Sequence, residues 1–334
     1  MQLRRIRRSL HVAAACWIAA IAVAGCGGSH HHRLGAAEPA VAPAGTARAA
    51  GTVRTVGSSP EGIVFDPKTN LVAVAVHQPN RLLLLDGTTL GLRQTVALPG
   101  TVRHLQLAGP GGPVLVPVES EGRLIEVTLT RGAQRSTKVG KQPHDATAAA
   151  GGLIIVGNEF SKSISILKDG VVLKTLPGVR QPGGVVGDGT TVAVVDVGDF
   201  TVSMFDLSTQ TRTAVTPAGK GPTHGVLATG HRLVVADTRG NAILEFGLRP
   251  LRAIGSIALP GAPYGMALDP ATDTVWVTLT ARNEVVGFDV SGTTPREIAR
   301  YPTVRQPNTV AVSPGSHFIW IAGAAQGQLQ LIKR

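Results

Sequence analysis

QPHDATA (142–148), QPGGVVG (181–187), PTHGVLA (222–228), APYGMAL (262–268) and QPNTVAV (306–312) are variants of one word. SPEGIVF (59–65) and TVRHLQL (101–107) extend the series toward the N-terminus. The matching positions, Gly62, His104, Asp145, Gly184, Gly225, Gly265 and Thr309, lie 39 to 44 residues apart. A period near 40 with strand-like content is the mark of propeller blades, and seven copies predict an all-β, seven-bladed β-propeller.

Working outward, each unit has the same parts. The entry word opens a short apolar strand. A turn such as Asp66-Pro67-Lys68-Thr69-Asn70 or Asp269-Pro270-Ala271-Thr272-Asp273 follows, with Pro presetting φ and Asp capping from its side chain. A nearly continuous β-branched run is next, for example LVAVAV (71–76), TVAVVD (191–196) or TVWVTL (274–279), and suits a strand buried on both faces between blades. A third strand, such as TVSMFD (201–206), and a fourth, such as AIGSIALP (253–260), complete four antiparallel strands per blade. The last unit stops at its third strand, GQLQLIKR (327–334), while a spare piece, GTVRTVG (51–57), precedes the first. The N-terminal strand is therefore expected to complete the seventh blade, which protects an edge that would otherwise be open. A solenoid would leave that piece unpaired.

Composition agrees. The 334 residues include 41 Gly and 22 Pro, yet 43 % are hydrophobic and only 16 % charged. That excludes a disordered Pro/Gly polymer and a coiled coil. The net charge is +11, and Arg4, Arg5, Arg7 and Arg8 stand before the apolar run 12–24. This basic-then-apolar layout is that of an export signal (1–25), and the run is too short for a comfortable membrane span. It ends in Val23-Ala24-Gly25-Cys26, which resembles a bacterial lipobox. Cys26 is thus the expected lipidation site, and the mature chain is expected on the outer side of the cell membrane, held by its lipid. Arg7-Arg8 leaves the export route, general or twin-arginine, open. Residues 26–50, rich in Gly, Ala and Pro with His30, His31 and His32, read as the lipidated Cys and a flexible tether before a propeller spanning 51–334. The mature domain holds no thiol for a disulfide or a zinc–thiolate site. No Lys/Arg run interleaved with aromatics appears, so nucleic acid is not an expected partner, and the chain is expected to be a monomer.

The repeats resemble the YVTN-type seven-bladed propellers of exported bacterial proteins over residues 51–334. The resemblance rests on the Pro-x-Gly strand entry, the Val/Ala-rich second strand ending in a polar residue, and the Asp closing the third strand. The second-strand ends here are His77, Glu119, Asn158, Asp196 and Asp237. The resemblance implies a fold and leaves the chemistry open: such propellers include binding proteins, lactonases and lyases.

The entry words converge on one mouth of the central channel. They carry Glu61, Arg103, His104, His144, His224, Tyr264 and Asn308 there, His224 aligning with His144 if blade five has one extra residue, Thr223. Three imidazoles from different blades could hold a divalent metal, the one cofactor this set suggests; an anionic small molecule or plain channel lining are the other readings. No G-x-S-x-G, H-E-x-x-H, phosphate-cradling loop or haem-attachment C-x-x-C-H is present. The reading that follows is an envelope binding or scaffold module for a protein or small-molecule ligand. The alternative is a metal-dependent lactonase or streptogramin-lyase-like enzyme working in the channel.

Overall fold

The computed structural model describes residues 35–45 and 47–334. The signal segment, Cys26 and His30–His32 lie outside the described residues. The fold is all-β: seven sheets of four antiparallel strands each. Blade four shows the pattern, with Pro182–Asp188 innermost, then Thr191–Asp196, Thr201–Asp206 and outermost Thr211–Pro217. The second and third strands are buried on both faces, because each sheet is covered by its neighbours; Val72, Ala73, Val74 and Ala75 are wholly inaccessible.

The core is correspondingly not one mass. Seven apolar clusters sit one between each pair of adjacent blades. Between blades seven and one, Trp320 stacks on Phe65 at 4.4 Å and donates its indole N–H to the Gly87 carbonyl at 2.9 Å. Between blades six and seven, Trp276 donates to Ser316 Oγ at 3.0 Å. Turn aspartates add polar ties across the same seams: Asp66 accepts from Gly111 N at 2.7 Å, and Asp269 from Ser316 Oγ at 2.7 Å. Asp66, Asp206, Asp269 and Asp289 also cap their own turns, as their Asp-Pro and Asp-x-Ser contexts suggest.

The ring closes as expected. The N-terminal strand Thr52–Thr55 pairs antiparallel with Gln328–Lys333, the third strand of blade seven. Gln330, wholly buried, pins this junction. Its amide donates to Ala50 O at 2.7 Å and Pro302 O at 3.1 Å and accepts from Val304 N at 3.0 Å.

Two regions depart from the sequence reading. The inner strand of blade two is only Gln106–Leu107. Thr101 O and Val102 O are instead taken by Glu119 N and the His77 ring, so Arg103 and His104 are carried on a connection rather than in a ladder. Residues 35–43, which composition assigns to the tether, are seated on the propeller, and the compact unit begins at Gly35. This strap runs over the face where the inner strands begin, called here the entry face. Ala37 and Ala42 are buried. Thr280 Oγ1 accepts from Ala40 N at 3.0 Å, and Gln306 clasps Ala40 O at 2.9 Å and Ala42 N at 2.8 Å. Asn283 donates to Pro43 O and Arg239 to Gly35 O. Almost every contact is to strap backbone, which explains why composition does not reveal it. No helix among the described residues is long and apolar enough to cross a membrane.

Candidate functional site

His144 enters from the inner strand Pro143–Ala149 of blade three, and His224 from Pro222–Ala228 of blade five. His104 reaches between them from the blade-two connection. The His104 ring lies 4.2 Å from that of His224 and 4.5 Å from that of His144, centroid to centroid. One ring nitrogen from each of the three falls within 4.8 Å of the others.

The outer nitrogens are spoken for. His144 Nδ1 faces Glu119 Oε1 at 2.7 Å, with Glu159 at 3.9 Å behind it and Gln142 donating to Glu119 Oε2. His224 Nδ1 donates to the Tyr264 carbonyl at 3.1 Å, since a carbonyl can only accept. That leaves His224 Nε2 as a lone pair, which receives the His104 Nε2 proton at 2.9 Å. Imidazoles oriented through Nδ1 by a carboxylate and a carbonyl, with a ring nitrogen from each close to the others, have the arrangement of ligating histidines.

Electrostatics separates the three. Burial, then the charges of its neighbours His144 and Arg103, depresses His224 to about 3. Burial, then the charges of His224, His144 and Arg103, hold His104 well below the ordinary value. For His144 burial also opposes charge, but the Glu119 hydrogen bond and the Glu159 and Glu119 carboxylates outweigh it and raise its pKa. Burial pushes Glu159 up as well. The site is thus an imidazole pair beside one histidine poised to carry a proton.

Tyr264 and Arg103 complete the group. The Tyr264 ring meets His224 edge-on at 4.6 Å, and its hydroxyl accepts from Arg103 Nη2 at 3.0 Å. Burial raises the phenol, which stays neutral. Arg103 also pairs with Glu38 of the strap at 2.9 Å, and Ala36, Ala37 and Glu38 close over His144, His224 and Tyr264 from the entry side. Glu61 and Asn308 do not join the cluster. They bond to each other, Asn308 Nδ2 donating to Glu61 Oε1, with Gln306 on Asn308 Oδ1.

On the other side His104 and His224 open onto a chamber of about 390 Å³. His104 and His224 reach it from above; Gln106, Asp145, Thr147 and Thr309 are its polar lining, and Phe65, Leu107, Val226 and Met266 are among its apolar walls. Asp145, raised to about 6 by burial, is engaged within the protein. It accepts from Gln106, Ala146 N and Val185 N and so ties inner strands together. Thr309 Oγ1 is buried without a protein partner.

Glu119 and Glu159 are the residues that sequence reasoning missed. Glu119 ends a second strand, where the equivalent Asp196 and Asp237 do cap backbone amides at the blade entry. The available signal was that Glu119 and His144 sit 25 positions apart, the end of one blade's second strand against the next blade's entry.

No family model and no curated relative matches the chain. Its fold is shared with many solved structures. Virginiamycin B lyase from Staphylococcus aureus superposes with a TM-score of 0.71 at 16 % identity, covering 85 % of this chain and 99 % of the lyase. Hydrazine synthase from Kuenenia stuttgartiensis gives 0.71 at 16 % identity over 83 % and 96 %. The WD40 repeats of RRP9 give 0.73 at 13 % identity over 86 % and 99 %. Similarity at this level establishes the seven-bladed propeller and nothing finer.

Proposed function

We propose that this chain is an exported, lipid-anchored envelope protein whose propeller holds a ligand in its central channel, and that a divalent transition ion on His104, His144 and His224 is the holding element. The observation that carries the metal is the tautomer lock: Glu119 and the Tyr264 carbonyl occupy Nδ1 of His144 and His224, and a neutral His104 presents Nε2 once its proton shifts to Nδ1. Three imidazoles without thiolate suit zinc, nickel or copper(II) and leave at least one coordination position for a ligand. The export and anchor reading is supported by the basic segment, the apolar run and Cys26.

A second reading, a metal-dependent hydrolase or lyase, is favoured by one observation: His104 and His224 of the triad line the chamber, where an organic molecule could reach the ion. In that case the ion would supply Lewis acidity, while Gln106, Thr147 and Thr309 would orient the bound molecule.

The experiment is calorimetric titration of zinc or nickel into the purified chain, with His30, His31 and His32 changed to Ala so that the N-terminal tract cannot contribute. One ion per chain, abolished by also changing His144 and His224 to Ala, is expected. Absence of binding, or binding indifferent to those changes, overturns the metal.

A further inference from the structure

We propose that the chamber beside His104 and His224 takes an uncharged, largely apolar organic molecule whose hydroxyl lies against the His104 ring. This rests on the channel-ligand reading and names the class of ligand; it holds with or without an ion on the triad.

The first observation is what the inner strands show to the chamber. Phe65, Leu107, Val226, Leu227, Met266 and Leu268, from blades one, two, five and six, line it and are only half-buried. Side chains one strand further out are sealed from solvent, as Val72 and Val234 are. A channel built only to hold water gains nothing from apolar walls, whereas an apolar guest removes that surface from water. At about 390 Å³ the chamber falls within the usual range for small-molecule sites, about 300–1,000 Å³.

The second is charge. Among the described residues that line the chamber there is no Lys or Arg. Arg103, next to His104 in sequence, is committed to Glu38 and the Tyr264 hydroxyl on the entry side. The one acid, Asp145, is engaged by Gln106, Ala146 N and Val185 N. An anionic guest would find no cation there, and a cationic one only a carboxylate already taken. Charge brought into the chamber would therefore go unpaired.

The third is one ring nitrogen. His224 Nδ1 donates to the Tyr264 carbonyl, so His224 Nε2 accepts the proton of His104 Nε2. His104 Nδ1 is then a lone pair, and it has no hydrogen-bond partner among the described residues. His104 is also the one ring of the three that is not fully buried, and it lines the chamber. A ligand hydroxyl supplies the missing donor. With an ion on Nε2 the His104 proton moves to Nδ1, and a hydroxyl, which accepts as well as donates, still serves.

The test uses the purified chain after chelator treatment, isotopically labelled at its methionine methyl carbons. The probe is 2-naphthol, with naphthalene, anionic 2-naphthoate and cationic 2-naphthylmethylamine as counterparts. Saturable binding of 2-naphthol should shift the Met266 methyl resonance, which reports on the chamber, and leave that of Met204, packed between blades four and five, in place. Naphthalene should bind about 3- to 10-fold more weakly, the effect of one hydrogen bond, and both ions more weakly than 2-naphthol. His104→Phe, which keeps a flat ring and removes both nitrogens, should bring 2-naphthol down to the affinity of naphthalene. An unmoved Met266, or equal or tighter binding of either ion, overturns the proposal. So does a preference for naphthol over naphthalene that is absent in the parent or survives in His104→Phe. If His104→Phe does not fold, the ranking of the four probes on the parent decides. Zinc binding without naphthol binding overturns this ligand class and leaves the metal standing; naphthol binding without zinc binding does the reverse.

Discussion

Glu119 Oε1 lies 2.7 Å from His144 Nδ1, with both side chains buried. The pair joins the turn after the second strand of blade two to the inner strand of blade three and fixes the His144 ring through Nδ1. A carboxylate in this position orients the ring and raises its basicity. Glu119→Gln should therefore weaken zinc binding about 10- to 100-fold, the usual effect of losing such a partner. Competition with a chromogenic chelator measures this, and near-ultraviolet circular dichroism of the variant should match the parent. Unchanged affinity would show that Glu119 does not orient a ligand.

His224 makes the metal-free protein acid-sensitive. In the folded state its pKa is depressed to about 3, whereas in the unfolded chain it takes the ordinary value near 6.5. Between those values the unfolded chain binds a proton that the folded chain refuses, so stability falls as pH falls. The slope from this residue is about 1.4 kcal/mol per pH unit, or about 2 kcal/mol between pH 6.5 and 5. His224→Gln should remove that increment from the difference between urea melts at pH 7.5 and 5. If parent and variant show the same pH dependence, His224 is not buried neutral.

Gln330 serves three backbone groups at the junction of blades six and seven with the N-terminal strand. Truncation to Ala leaves those groups unpaired in a site closed to solvent. At about 1–3 kcal/mol for each orphaned group, Gln330→Ala should cost roughly 3 kcal/mol or more. Denaturant unfolding gives the number. A loss below about 1 kcal/mol would mean that water reaches the junction.

The strap has a comparable clasp in Gln306, which is partly exposed. Gln306→Ala removes both bonds to residues 40 and 42 and should cost only about 1–2 kcal/mol. Its readout is local: the Ala42 amide, protected from hydrogen exchange in the parent, should exchange much faster in the variant, while amides in the blades are unaffected. Equal protection at Ala42 would place the strap's hold elsewhere.

The blades were legible because a blade repeats its physics. Each second strand must be apolar on both faces, and each turn needs an Asp, Pro or Gly at a fixed offset. Seven such units overwrite local ambiguity. The convergence of His104, His144 and His224 followed from the same register. Their partners did not, because Glu119 stands at a second-strand end whose sister positions hold Asn158 and Asp196, while Glu159 follows such an end where blade four has Val197, and only the three-dimensional packing separates a carboxylate that caps amides from one that faces a ring. Glu61 and Asn308 belong to the same register as the histidines, yet they satisfy each other on the other side of the mouth. The strap was illegible for another reason: it is held through its own carbonyls and amides, which every sequence possesses.

Ring closure has a consequence for the order of events at the membrane. If the chain is exported as proposed, Thr52–Thr55 emerges long before its partner Gln328–Lys333. If the chain crosses unfolded, the seventh sheet cannot be completed until the last residues have passed. The first-emerging strand must wait with an unpaired edge while six blades assemble. An anchor near residue 26 would hold that waiting strand beside the exit site, so that the two ends meet as neighbours rather than by a search through solution.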